Sequence, residues 1–398
     1  MSTLTQAHRQ PQPGTAAAGR LLSVPLAVTF LAEFTSLTSF FLLLSVLPML
    51  AAAGGDGSSG AGLITGSLLL GTVAAEAVAA AAIRRLGART VLAAAAVLLG
   101  APALALLVPE PQAVMVIVSV VRGLGFGLSG VVTGALTARL LPPARRGEGL
   151  GLLGIVSGVP AILALPAGVW LAGHHLAAAV AALAAIAGLV PLAAIRWLPG
   201  RGQATSGSPR AGSARRAPGG ALRLPLIFAA CTVAAGVLDS FLPLAKGVSS
   251  NLASAALLVS SIAATLSRWQ AGRHGDRYGH ARLLIPALCV AAIGMTAMIW
   301  LASPVLVFAS MVLFGAGFGV IENATFALLI EQLPETRASA LWNFAYDAGY
   351  GAGPAVFGLF ATRTGYPAAF ALTGLLVLAV LPAATRERKA VVGAARPA

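Results

Sequence analysis

The chain has 398 residues, of which 58% are hydrophobic and only 10% charged, and its mean hydropathy is +0.89. Soluble domains carry about 25% charged residues, so a water-facing surface is excluded and most of this one must face lipid. The formal net charge of +14 does not point to nucleic acid, because the basic residues flank apolar runs instead of forming one face.

Residues 1–21 are polar, and the apolar run after them is of spanning length without a cleavage site. They read as a disordered cytoplasmic tail, not a secretory leader. Twelve apolar segments follow, at 22–51, 61–83, 90–107, 113–136, 151–173, 176–195, 224–244, 252–267, 283–301, 304–330, 338–361 and 367–383. Most reach or approach the ~20 residues that cross a bilayer. Lipid offers the backbone no hydrogen bonds, so these segments are predicted helices 1 to 12. The shortest is helix 8, and the break between helices 5 and 6 falls at His174 and His175. Residues 199–223, rich in Gly, Ser, Pro and Arg, read as a cytoplasmic linker between a six-helix half at 22–198 and another at 224–384. Residues 385–398 read as a second cytoplasmic tail. With the N-terminus inside, every lysine and arginine falls on the cytoplasmic side except Lys246, Arg363 and Arg122, which lies within helix 4. This predicts cytoplasmic termini and a multi-pass protein of the cell membrane.

The halves read as copies. Gly87 and Gly279 are 192 positions apart (279 − 87 = 192). The same offset relates Arg85 to Arg277, and Gly123, Gly125 and Gly127 to Gly315, Gly317 and Gly319. It also relates Leu141 and Pro142 to Leu333 and Pro334, and Arg145 to Arg337. One offset from helix 2 to helix 5 indicates duplication of a six-helix unit.

Gly272, Asp276, Arg277, Gly279 and Arg282 form the pattern Gly-x-x-x-Asp-Arg-x-Gly-x-x-Arg between helices 8 and 9. It resembles the cytoplasmic loop signature of the major facilitator superfamily of membrane transporters. The first copy is diverged: Ala80 replaces the leading glycine, and Arg84 stands where the family has Asp. Arg122 on helix 4 is similar to the family's helix-4 arginine. Gly158 and Pro160 on helix 5 loosely resemble its antiporter signature, and Gly353 and Pro354 give helix 11 a cleaner one. The resemblance implies an all-α membrane protein of twelve transmembrane helices in two six-helix pseudo-symmetric halves that rock about a central site. It implies gating loops at Arg84, Arg85, Gly87, Gly272, Asp276, Arg277 and Gly279, and a cavity lined by helices 1, 4, 7 and 10.

Ionisable residues inside the spans are Glu33, Glu76, Arg122, Asp239, Glu322 and Asp347. A central charge costs ~2.5–3.5 kcal/mol on insertion scales, so such residues face a polar cavity, pair, or move protons. Glu33, Arg122, Asp239 and Glu322 fall one on each cavity helix. With Asp347 they form the candidate proton-coupling and substrate-cavity set. Glu33 and Arg122 lie at similar depth and are expected to sense each other, with Glu33 carrying the proton. Glu76 is expected to pair with loop arginines, Asp239 to sit at the outer rim near Lys246, and Asp347 to hold helix 10 through Asn343.

The function expected is secondary active transport, as a proton-coupled exporter (antiporter) of a small amphiphilic molecule such as a drug or secondary metabolite. Proton-coupled uptake of a metabolite is the alternative, followed by a non-transporting membrane sensor. Partners are the substrate, protons and lipid, with no nucleic acid, and the chain is expected to act as a monomer. No phosphate-binding Gly-x-x-x-x-Gly-Lys run exists, all five histidines lie in tails or loops, and Cys231 and Cys289 each sit in an apolar run. No enzyme, metal site or cofactor is therefore expected.

Overall fold

Helices occupy nearly all of residues 22–108, 111–141, 146–198, 222–333 and 335–394, which the computed structural model describes. The expected tail at 1–21, the linker up to residue 221, and Pro142, Arg145 and Pro334 lie outside the described residues.

Helix 1 runs over Val24–Leu44 and continues past Ser45 through Val46–Ala51 and a wide turn at Ala52–Asp56. Ser23 caps it by accepting from the Leu26 amide at 3.4 Å, and Pro25 takes a first-turn position where no amide is needed. The other helices are Gly57–Leu86, Ala88–Leu107, Gln112–Leu140, Arg146–Gly173 and Ala177–Trp197 in the first half. The second half has Arg223–Leu244, Ser250–Tyr278, His280–Trp300, Pro304–Gln332, Glu335–Thr364 and Tyr366–Ala379. Helix 12 then continues as Leu381–Ala394. Among the described residues, eleven helices are long and apolar enough to cross a membrane. Helix 11 (Glu335–Thr364) is equally long and more polar, with Asn343 and Asp347 inside it.

Three sequence expectations are corrected. The polar motif after helix 8 is not a loop: Gly272, Asp276 and Arg277 lie in the last turns of Ser250–Tyr278, which is 29 residues long. Arg and Asp tolerate a helix at a wetted membrane edge, so polarity alone does not end one. The connection is Gly279 at φ 90, matched by Gly87 at φ 85 between helices 2 and 3, a backbone region that glycine enters without strain. The helical stretch after helix 12 does not stop near 383 but runs on to Ala394, and Glu387 within it is 3% exposed. It accepts from Gln332 Nε2 at 2.5 Å and lies 3.8 Å from Arg223. Helix 2 begins at Gly57 instead of 61, and Gly60 is buried within it.

The repeat is three-dimensional. A Cβ added at Gly123, Gly125 or Gly127 would overlap backbone at Leu68, Leu99 or Thr72. At Gly315, Gly317 and Gly319 it would meet Ser260, Ala291 and Ala264, each again 192 positions on. Helix 4 thus lies on helices 2 and 3 as helix 10 lies on helices 8 and 9. Where lipid replaces water there is little hydrophobic drive between helices, and close backbone approach at small residues supplies the attraction instead.

The helices alternate in direction, so helices 1 and 7 begin and helices 6 and 12 end at one face, the termini face. Away from it, hydrogen bonds among the described residues join the halves. Ser45 Oγ donates to the Asp239 carbonyl, and Ser254 Oγ donates to the Pro166 carbonyl at 2.6 Å. Thr65 pairs with Ser240 at 3.1 Å and Ser58 with Tyr366 at 3.0 Å. Helices 2 and 11 touch most closely there: a Cβ at Gly62 would overlap the Pro354 carbonyl, and one at Gly358 the Ser58 carbonyl. Toward the termini face, Gly130 and Gly134 on helix 4 and Gly154 and Gly158 on helix 5 have open space where a side chain would stand. The molecule is closed at the far face and open at the termini face.

Candidate functional site

Glu33 sits nine residues into helix 1, about 14 Å along the axis. Its carboxylate accepts from Thr133 Oγ1 on helix 4 and from Ser157 Oγ on helix 5 at 3.5 Å. Two turns of hydroxyls thus converge on one acid, and one turn on, Ser36 and Ser129 pair at 2.8 Å. No lysine or arginine among the described residues forms an ion pair with Glu33.

Arg122 is not its partner. It is 1% exposed, and its guanidinium donates to the Leu99 carbonyl at 2.6 Å and the Ser39 carbonyl at 2.8 Å. Ser39 Oγ in turn donates to the Ala184 carbonyl at 2.7 Å. Arg122 therefore ties helices 1, 3, 4 and 6 together, six residues (~9 Å) along helix 1 from Glu33. The equal depth expected from sequence does not hold: Glu33 is nine residues and Arg122 eighteen from the termini-face ends of their helices, and the two side chains point to different neighbours.

The second half is filled instead with rings. Trp342, Tyr346 and Tyr350, four residues apart on helix 11, form a column with centroid spacings of 5.8 and 5.4 Å. Phe228 of helix 7 stacks on Trp342 at 4.5 Å and approaches Phe318 of helix 10 at 6.4 Å. Asp239 caps one end of this column, accepting from the Tyr350 hydroxyl, rather than pairing with Lys246 at a rim. Near the other end, Glu322 on helix 10 accepts from Arg268 Nη1 of helix 8 at 2.8 Å. By the repeat offset, Tyr346 and Tyr350 correspond to Gly154 and Gly158. The rings face helices 7 and 10; by the repeat the two glycines are turned toward helices 1 and 4, the side on which Ser157 reaches Glu33. The result is a one-sided cleft, roomy beside Glu33 and packed across from it.

Asp347 does not hold helix 10. It is 7% exposed, and its carboxyl group and that of Glu76 on helix 2 hydrogen-bond each other. Glu76 accordingly does not pair with Arg84 or Arg85. Asp276, which forms no ion pair with an arginine among the described residues, lies 3.5 Å from His280 Nε2 one turn on, with its own side chain largely exposed. Thr133, Ser157 and Tyr350 escaped the sequence reading, since single hydroxyls in apolar helices carry no periodic signal. The constant offset does carry one for Glu76, whose mate is the charged Arg268.

The sequence matches the profile described as Major Facilitator Superfamily over residues 29–340 and 247–396. The chain belongs to the major facilitator superfamily. No curated protein matches it in sequence. Among solved structures, this facilitator is similar to a D-xylose-proton symporter (18% identity, TM-score 0.73, covering 90% of this chain and 96% of that one). It is also similar to a mutant of the peptide transporter POT in complex with sulfate (17%, TM-score 0.71, 92% and 95%). The inward open conformation of the xylose transporter XylE from E. coli is a third (16%, TM-score 0.70, 90% and 94%). These likenesses establish the twelve-helix fold, and with the family match they make the facilitator a multi-pass membrane transporter and not an enzyme.

Proposed function

We propose that this facilitator is a proton-coupled exporter of a small amphiphilic molecule with a cationic group, residing in the cell membrane with both termini cytoplasmic. The observation that carries this reading is Glu33, an acid held among the described residues by the hydroxyls of Thr133 and Ser157, beside the bare faces of Gly154 and Gly158. A carboxylate in such a cleft recognises a cation, and the glycine faces leave room for an apolar body. Burial disfavours the charged form of an acid, so proton and cationic substrate compete for one site. With Glu33 ionised, substrate loads from the termini face. The halves rock, and a proton arriving from the far side displaces it. Arg84, Arg85, Asp276 and Arg277, on the last turns of helices 2 and 8, are the residues assigned to gating at the termini face. The alternative, uptake by symport, predicts the opposite direction of movement on the same gradient.

Proteoliposomes with an imposed pH gradient provide the test. Glu33→Gln is expected to abolish uphill transport while sparing substrate exchange. Undiminished uphill transport by this variant overturns the role of Glu33. Accumulation driven by an acid interior in everted vesicles supports export. Accumulation in right-side-out vesicles on an inward proton gradient supports uptake.

A further inference from the structure

The halves meet at one place where two acids touch. Glu76 lies ten residues from the termini-face end of helix 2, about 15 Å, and Asp347 twelve residues from that end of helix 11, about 18 Å. Both are near the middle of the ~30 Å apolar layer. An ionised carboxylate only accepts hydrogen bonds, whereas a protonated carboxyl also donates. The Glu76–Asp347 hydrogen bond therefore contains a proton. Remove it, and two negative charges remain in contact between helices.

Other charged groups on the surrounding helices do not relieve that contact. On helix 4, Arg122 donates to the Leu99 and Ser39 carbonyls, and Arg139 lies in the last turn. On helix 8, Arg268 is bound to Glu322 of helix 10. Helix 7 contributes buried Cys231 and Asp239, the latter facing Tyr350. Helix 11 itself adds Tyr346, stacked on Tyr350. Arg84 and Arg85 follow two turns later on helix 2. Among the described residues, no basic side chain forms an ion pair with either acid.

Position gives the pair its consequence. Every other hydrogen bond described above between the halves lies farther from the termini face. Glu76–Asp347 is the inner edge of the closed region, next to the open end of the cleft. Glu76 is only partly buried, so its proton has a route to the water on that side. The second seam, between helices 5 and 8, has no counterpart. The repeat mates of Asp347 and Glu76 there are Ile155, 62% exposed, and Arg268, already held by Glu322.

We propose that Glu76 and Asp347 form a proton-binding site shared by the two halves, which clasps helix 2 to helix 11 while it holds one proton and parts them when the proton leaves. Loss of the proton to the termini side then favours closure there and opening of the far face. As a coupling element the clasp rests on the exporter reading above. As a pH-dependent contact between halves it is measurable without transport.

The experiment places spin labels at Val108→Cys, at the far end of helix 3, and Ala302→Cys, at the far end of helix 9. Both positions are exposed, one in each half. Cys231 and Cys289 are replaced by alanine. Distances are recorded in lipid nanodiscs, without a gradient, from about pH 5 to about pH 9, a span that covers buried and paired carboxyls. In the parent the distance is expected to lengthen as pH rises, with at least a tenfold change in the ratio of long to short populations. Glu76→Gln and Asp347→Asn each keep a hydrogen bond without a charge, and each is expected to hold the short distance throughout. Arg363→Gln, at the exposed far-face end of helix 11 and outside the binding cleft, is expected to follow the parent. A parent distance that ignores pH overturns the clasp, as does a pH response that survives in both Glu76→Gln and Asp347→Asn. If Glu33→Gln still transports uphill while the clasp variants lose the distance change, the exporter assignment of Glu33 fails and the clasp stands.

Discussion

The two halves share a backbone plan and differ in what fills it. Helix 4 rests on Leu68, Thr72 and Leu99, and helix 10 rests on the residues 192 positions later, through glycine triplets at matching places. Between those contacts the side chains have parted ways. Buried Arg122 has Phe314 as its mate, Gly154 and Gly158 have Tyr346 and Tyr350, and Glu76 has Arg268. Backbone-to-backbone contact admits no side chain at all, so those glycines are fixed in both copies. The faces between them only have to be filled or emptied consistently. One half has become a cleft with an acid and the other a packed column of rings. A single site between two pseudo-symmetric halves thereby acquires a direction.

The largest effects should come from breaking what the halves share. Gly125→Val and Gly317→Val each push a branched side chain into backbone of the neighbouring helix, at Leu99 and Ala291. Both are expected to lose most of the folded, monodisperse protein in detergent, and to a similar degree. Intact yield from only one of the pair would show that the triplets are not equivalent. Next come changes that make one half imitate the other. Gly154→Tyr fills the cleft with the ring that helix 11 carries, and is expected to cut transport at least ~10-fold, or ~1.4 kcal/mol, with little change in melting temperature. Tyr346→Gly does the reverse: truncating a fully buried aromatic costs ~3–5 kcal/mol and this ring is partly buried, so a smaller but clear fall in melting temperature is expected. Thermal unfolding and transport assays on both variants should show opposite patterns, and a shared pattern would deny the one-sided cleft. The smallest effect is expected at Glu322→Gln. Arg268 is half exposed, so losing this ion pair should cost no more than ~1 kcal/mol, seen as a slight drop in melting temperature.

Much of this was legible beforehand. Spanning segments announce themselves by apolar length, and the offset of 192 foretold the equivalence of the glycine triplets, whose contacts the structure then supplies. Partner choice was not legible. Glu33 and Arg122 lie at different depths, nine and eighteen residues from the termini-face ends of their helices, and Arg122 turns to the Leu99 and Ser39 carbonyls instead. Glu76 finds Asp347 only because helices 2 and 11 dock across the halves, a contact that no local pattern encodes. Residues 385–394 look like a tail because they are charged, yet Glu387 is buried against Gln332. One polar contact with a neighbouring helix outweighs the composition of the segment.

The ring column also gives the protein a built-in optical reporter. Of its five tryptophans, Trp170, Trp197, Trp269 and Trp300 are each at least 45% exposed on the outside of the bundle. Trp342 lies within the second half against Phe228, Phe326 and Tyr346, and its indole N–H is buried without a hydrogen-bond partner. Quenchers carried on lipid chains or dissolved in water reach the four outer indoles and leave the fifth glowing. The residual emission would then come from one ring beside the transport path, and its colour would follow the polarity around that ring as helix 11 moves against helix 7.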